Sequence, residues 1–221
     1  FCLSRGLGDV YKRQEYDICI FATGSKAFVL PIPGSNLPSV IGWRTIDDTN
    51  KMIEIAQTKK RAVVIGGGLL GLECARGLLD QGMEVTVLHL ADWLMEMQLD
   101  RKAGEMLKAD LEKQGMKIEL QANSKEIIGD KDVEAIKLAD GRVIETDLVV
   151  MAVGIRPYTE VAKDSGLDVN RGIVVNDYMQ TSDSHIYAVG ECAEHDGKVY
   201  GLVAPLYEPV SYTHLTLPTK A

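Results

Sequence analysis

The stretch VVIGGGLLGLE, residues 63 to 73, constrains this chain more than any other. An apolar, β-branched run precedes three glycines, and a helix-forming run follows. Gly66, Gly68 and Gly71 satisfy G-x-G-x-x-G. In that pattern the first glycine permits a tight turn and the second lets a pyrophosphate approach the backbone. The third lets helix and strand pack closely. The helix N-terminus adds unpaired N–H groups and a partial positive charge. Alone the pattern is weak, because glycine-rich turns are common. Here it has its context: a strand before, a helix after, and a second strand, EVTVLHL (84 to 90), ending about 20 residues later. The segment reads as a dinucleotide site in an α/β fold, with Leu69 and Leu70 inside the turn.

The residue at the tip of that second strand usually selects the nicotinamide cofactor. Asp or Glu binds the ribose 2′-hydroxyl of NAD and repels the 2′-phosphate of NADP. Counting places His89 there, with Asp92 three residues on and no arginine beside it. Two readings of His89 are open, a contact to the ribose and an exposed strand-end residue. The choice between NAD and NADP stays open, and the acidic surroundings favour NAD.

The remaining organisation follows from pattern and punctuation. YDICIFATG (16 to 24) reads as a buried strand and turn, and residues 28 to 40, with three prolines, as extended linker. Thr45 with Asp48 three residues on marks a helix start. Arg61 to Ile65 is a strand, Leu69 to Gln81 a helix closed by Gly82, and Asp100 to Gln114 a helix ended by Gly115. Strands follow at KIELQ, SKEIIG, VEAIKLADGRVIE and DLVVMAVG, with Asp140-Gly141 as a two-residue hairpin turn. A short helix near Thr159 to Ser165, a strand at GIVV and a buried strand at HIYAVG (185 to 190) complete the pass.

Composition bounds the class. Asp and Glu number 32 against 24 Lys and Arg, a net charge of −8, which argues against nucleic acid or an anionic membrane as partner. No apolar run approaches the ~20 residues of a membrane helix, and no signal peptide is visible. The four cysteines, Cys2, Cys19, Cys74 and Cys192, form no CxxC pair, so reduced thiols and a cytoplasmic setting are expected. Residues 1–14 and 210–221 share no pattern with what they flank. They resemble adapter-like translated ends, the alternative being ordinary terminal tails.

Three further stretches, FATG (21 to 24), AVGIRP (152 to 157) and IYAVGECAEH (186 to 195), stand in order around the glycine turn. Together the four motifs resemble the two-dinucleotide flavoproteins, the FAD- and NAD(P)H-dependent pyridine nucleotide oxidoreductases. That resemblance implies a Rossmann-like NAD(P)H domain inserted in an FAD domain, here truncated. Residues 15–42 would end the first FAD segment, 43–153 would be the NAD(P)H domain, and 154–209 the returning FAD segment. The family's first glycine fingerprint, for the FAD diphosphate, is expected before residue 15. Within the family, GGGLLGLE, LMEMQLD (94 to 100), VGECAEH and YGLVAPLYE (200 to 208) resemble the flavin module of assimilatory NAD(P)H nitrite reductases. The implied cofactors are FAD and NAD(P)H. Iron–sulfur and sirohaem centres would belong only to a downstream part. The implied partners are the dinucleotides and downstream redox domains or a small iron–sulfur protein. Two alternatives stay open: a rubredoxin- or ferredoxin-reductase-type flavoprotein, and a non-catalytic NADH-binding module.

The resemblance also implies roles. Glu191, after Gly190, would accept a hydrogen bond from the FAD ribityl chain, and a helix after it would bring N–H groups to the flavin pyrophosphate. A plain capping carboxylate fits the same position. Thr23 and Gly24 would meet the adenine side of the flavin, against the alternative of an ordinary strand-ending turn. Glu73 would lie by the nicotinamide and flavin, or else only complement the helix dipole. Gly154 would give the backbone close passage beside the nicotinamide nucleotide. No side-chain nucleophile or general base is required, because the cofactors supply the reactive atoms. Cys192 and His195 have ligand-like spacing, but one pair cannot close a tetrahedral metal site, so packing and a surface role are expected. Trp93, Leu94, Met95 and Met97 read as core or lid.

Overall fold

The structure is a computed structural model that describes residues 15–201. Residues 1–14 and 210–221, Cys2, and all of YGLVAPLYE beyond Gly201 lie outside the described residues. In chain order the first elements are β1 (Cys19–Phe21), β2 (Ser25–Ala27), β3 (Val40–Gly42), α1 (Ile46–Ala56), β4 (Arg61–Ile65) and α2 (Leu69–Asp80). Next come β5 (Glu84–Leu88), α3 (Arg101–Lys113), β6 (Lys117–Glu119), β7 (Ser124–Ile128), β8 (Ala135–Leu138), β9 (Val143–Glu145) and β10 (Leu148–Met151). The last are β11 (Ile155–Pro157), α4 (Glu160–Asp164), β12 (Ile173–Val175), β13 (Ile186–Ala188), a 3-10 turn (Gly190–Cys192), β14 (Ala193–His195) and β15 (Lys198–Val199).

The described residues form two compact units, one of residues 27–155 and one of residues 15–26 with 156–201. The larger unit is built on a five-stranded sheet ordered β3-β10-β4-β5-β6, every neighbouring pair parallel. Its central strands are apolar on both faces, the signature of a sheet covered on both sides. Alternation along the strands assigns the faces. Ala62 and Val64 of β4 and Leu148 and Val150 of β10 pack with Met52 of α1 and with Cys74, Ala75 and Leu78 of α2. Val63, Ile65, Val149 and Met151 turn the other way, onto Ile127, Ile136 and Leu138 of the antiparallel sheet β7-β8-β9. The unit is thus three layers: helices, parallel sheet, antiparallel sheet.

Local chemistry sets the element ends. Thr45 and Asp48 form the expected capping box: the Thr45 hydroxyl accepts the Asp48 N–H at 3.2 Å, and the Asp48 carboxylate accepts the Thr45 N–H at 2.7 Å. Asp100 caps α3 by accepting the Ala103 N–H at 2.8 Å. Three differences from the sequence reading stand out. Residues 27–42 pack in the larger unit, because β3, unsuspected behind the proline run, pairs with β10. The hairpin loop spans three residues rather than two, because the Leu138 N–H pairs with the Arg142 carbonyl and Asp140 accepts the Arg142 N–H at 3.0 Å. Gly141 closes that loop at φ 93, the left-handed position of a three-residue hairpin. Strand β1 is short and half-exposed, with Ile20 at 44%.

In the smaller unit β1 pairs parallel with β13, and β12-β14-β15 form a second sheet. Ala162, Ile173, Ala188, Cys192 and Ala193 make its core. Among the described residues no helix is long and apolar enough to cross a membrane.

One charged cluster joins the starts of two central strands. Both Asp147 oxygens accept from the Arg61 guanidinium, and Asp147 also accepts the backbone N–H groups of Arg61 at 2.9 Å and Lys60 at 3.3 Å. The Arg61 hydrogen bond holds the Asp147 carboxyl below its ordinary range, against the upward push of partial burial. A carboxyl depressed in the folded state contributes stability above its unfolded value of about 3.9 and loses it as pH falls through the folded value. Asp147→Asn should therefore lower stability at neutral pH and flatten the loss on acidification below about pH 4. Urea titrations across that range check it; an acid limb unaltered by the substitution would rule the cluster out.

Candidate functional site

The five glycines of the larger unit's site divide into two kinds. A Cβ on Gly66 would collide with the Ala152 carbonyl, and one on Gly71 with the Gly66 carbonyl. Gly66 also has a φ of 121, a backbone conformation that side chains rarely adopt. A Cβ on Gly67 would come within 2.6 Å of Leu94 Cδ2 and 2.7 Å of His89 Cγ. These three positions hold the turn against β10 and against the loop after β5. Gly68 and Gly154 are different: a Cβ on either would meet nothing within 4 Å. Both border a cavity of about 650 Å³ at the carboxyl ends of the parallel strands, the usual ligand position in an open α/β sheet.

Gly68 is the N-cap of α2, a helix of 12 residues. The first intrahelical bond is the Leu72 N–H to the Gly68 carbonyl at 3.0 Å. The Leu69, Leu70 and Gly71 N–H groups therefore precede the helical ladder and point out of the helix start. They combine with the dipole end to favour a phosphate group. Leu69 lines the large cavity and is 48% exposed. Leu70 lines an adjoining cavity of about 270 Å³ with Trp43, Thr45 and Ile46, and Ala152 and Gly154 are shared by both cavities. Glu73 is exposed on α2 and borders neither cavity.

His89 is 7% exposed, so the exposed strand-end reading is overturned. Its Nδ1 accepts the Gly67 N–H at 3.0 Å. A ring nitrogen that accepts carries no proton, so the proton lies on Nε2, which donates to Glu96 Oε2 at 2.9 Å. The Met95 N–H adds a bond to the Gly67 carbonyl at 3.1 Å, and Met95 takes φ 58 to make it. The loop after β5 is thereby tied to the glycine turn at both peptide groups of Gly67. Leu94 is fully buried beneath this loop, whereas Met97 is 83% exposed at the cavity edge. Trp93 donates to the Leu99 carbonyl at 3.1 Å and lies under the Arg101 guanidinium.

Three contributors escaped the sequence reading. Gly67 is an unspecified position in the glycine pattern. Glu96 lines the cavity and is held there by His89. Ser124, on the cavity wall, carries the one buried side-chain polar atom without a partner among the described residues. A dinucleotide fits these features: an open backbone approach at Gly68, free N–H groups at the head of α2, and an orphaned hydroxyl in the wall.

The smaller unit gathers Thr23, Gly24, Gly190 and Glu191. The Thr23 hydroxyl donates to the Tyr158 carbonyl at 2.9 Å, and the Tyr158 N–H returns a bond to the Gly24 carbonyl at 2.9 Å. Ser25 Oγ donates to Glu191 Oε2 at 2.8 Å. Added Cβ atoms at Gly24 and Gly190 would meet nothing within 4 Å, so both backbones are open to a ligand. The helix expected after Glu191 is instead a three-residue 3-10 turn with no side-chain cap, followed directly by β14. Pairing of Ala193 with Ile173 on β12 takes up the backbone that would have continued it. Cys192 is fully buried, its thiol donating to the Val189 carbonyl, and His195 Nε2 lies 2.8 Å from Asp177. Glu194, 4% exposed, accepts the Arg171 and Gly172 N–H groups at 2.8 and 2.9 Å. In the larger unit, burial pushes the Cys74 thiol up to about 12. Cys74 is therefore a packing residue against Met52.

The contrast between glycines yields a paired test. Gly68→Ala should cost at most about 1 kcal/mol of stability, the scale of an N-cap change, yet weaken NADH binding strongly. Gly71→Ala should destabilise the fold by several-fold more than Gly68→Ala. Thermal unfolding with NADH titration separates the two; equal NADH affinity in Gly68→Ala and wild type would exclude this turn as the ligand's seat.

The profile of the pyridine nucleotide-disulphide oxidoreductases matches residues 4–209. Over 200 residues the chain is 59% identical to the nitrite reductase [NAD(P)H] of Bacillus subtilis, covering 90% of this chain and 25% of that protein. It is 50% identical to the assimilatory nitrate reductase electron transfer subunit of the same organism, covering 90% of this chain and 26% of that one. The chain thus spans about a quarter of the length of these curated relatives. Among solved structures, the NAD-dependent persulfide reductase from A. fulgidus superimposes with a TM-score of 0.85 at 31% identity, over 90% of this chain and 38% of that one. Motif order, three-layer architecture and these likenesses agree: the chain belongs to the pyridine nucleotide-disulphide oxidoreductase family, whose members are FAD- and NAD(P)H-dependent oxidoreductases.

Proposed function

We propose that this chain is the NAD(P)H-oxidising flavin module of a nitrite reductase-type enzyme, working in the cytoplasm and passing electrons to downstream iron–sulfur and sirohaem centres. The observation that carries the reading is the open approach at Gly68 beside the unpaired N–H groups of α2. The names of the relatives, a nitrite reductase and a nitrate reductase electron transfer subunit, support onward electron transfer, and the iron–sulfur and sirohaem acceptors rest on the family resemblance. On this reading residues 27–155 form the nicotinamide nucleotide domain, and residues 15–26 with 156–201 belong to the flavin domain.

The protein's share of the chemistry is alignment and electrostatics. The Leu69, Leu70 and Gly71 N–H groups bind the NAD(P)H diphosphate, and Gly68 lets it approach. Gly154 gives the nicotinamide end a side chain-free passage. In the flavin domain, Thr23 and Gly24 form the turn that meets FAD, and Gly190 leaves room for it. Glu191, held by Ser25, is placed to accept a hydroxyl hydrogen bond. Bound FAD supplies a two-electron acceptor that releases electrons singly. The family resemblance alone assigns Glu73 to the nicotinamide end; its side chain is exposed on α2 and borders neither cavity.

Anaerobic mixing of NADH with the full-length, FAD-loaded protein tests this. Flavin absorbance should bleach rapidly, and added nitrite should restore it through the downstream centres. FAD that stays oxidised would reject the module's role. Bleaching that reverses only on addition of a small iron–sulfur protein would reassign it to the ferredoxin-reductase type.

A further inference from the structure

The acid that normally stands at the tip of the second strand is replaced in this chain by His89, and the cavity holds another carboxylate. Glu96, on the loop after β5, borders the cavity alongside His89, Leu90, Met97 and Gln98. Its Oε2 is held by the His89 Nε2–H at 2.9 Å, and the opposite edge of that ring is fixed by the Gly67 N–H. Both His89 nitrogens are thus engaged, leaving neither for a ribose hydroxyl. Glu96 has a second oxygen and 36% side-chain exposure, so it keeps acceptor capacity facing the cavity. Asp92 is a poorer candidate: it pairs with Arg101 and does not border the cavity. Arg101 is further engaged over Trp93, and no lysine or arginine is among the described residues lining the cavity.

We propose that Glu96 is the residue that reads the adenosine ribose and makes the site selective for NADH over NADPH. The proposal rests on the cavity being the dinucleotide site. The Glu96 carboxylate accepts from the ribose hydroxyls and repels a 2′-phosphate that finds no cation in the wall. His89 is a positioning residue. It holds Glu96 at a fixed distance from Gly67, so the group that selects the ribose and the turn that seats the diphosphate form one rigid piece.

Calorimetric titration of the full 221-residue chain with NADH and, separately, NADPH tests the assignment. Wild type should favour NADH by at least about tenfold, the scale of one charge-assisted hydrogen bond. Glu96→Gln should narrow the ratio mainly by losing NADH affinity, and Glu96→Arg should invert it. His89→Phe should also narrow the ratio, whereas a purely structural role would weaken both cofactors alike. Two outcomes would overturn the proposal. If both cofactors bind and the ratio is the same in wild type, Glu96→Gln and Glu96→Arg, Glu96 does not select and the dinucleotide reading survives. If neither cofactor binds wild type, both fall together.

Discussion

The close approach of Gly71 to the Gly66 carbonyl, which leaves no room for a Cβ, is the constraint from which the site is built. It lets α2 start close against the end of β4, so the helix N-terminus sits at the carboxyl ends of the parallel strands. The remaining glycines then take their roles by geometry. Gly66 passes beneath Ala152, Gly67 is gripped by Leu94 and His89, and Gly68 faces open space. One pattern of glycines thus combines two demands, packing behind and access in front, and only the open positions are available to a ligand.

That division explains why a buried histidine is tolerated at a strand end. Buried polar groups persist when they are hydrogen-bonded, and His89 satisfies both nitrogens. Its partner on one side is the turn itself. The loop after β5 therefore acts as part of the turn, and Met95 accepts a left-handed backbone to complete the attachment. The parallel sheet supplies the rigid base. Its central strands β4 and β10 are buried on both faces, so the carboxyl ends from which these loops spring rest on one well-packed layer.

Much of this was legible in the sequence, for identifiable reasons. Strands β4 and β10 are nearly continuous apolar runs, β5 is rich in β-branched residues, helices α1 and α3 carry their caps in the expected places, and the glycine turn follows its own spacing. What escaped depends on partners distant in sequence. Strand β3 is three residues behind a proline-rich run and exists because β10 offers it an edge. The turn after Glu191 is short because β12 captures Ala193, a pairing that no local signal announces. Gly67 and Ser124 have meaning only once Leu94, His89 and the cavity wall are in place. His89 was found by counting, but its orientation toward Glu96 depends on a tautomer that the fold imposes.

On the proposed function, a dinucleotide diphosphate rests on the N–H groups at the head of α2. Amide hydrogen exchange, with and without saturating NADH, tests it most directly. Exchange should slow chiefly in residues 66–72, with weaker protection in 89–98 and 152–154. Exchange unchanged across 66–72 while NADH is demonstrably bound would contradict it.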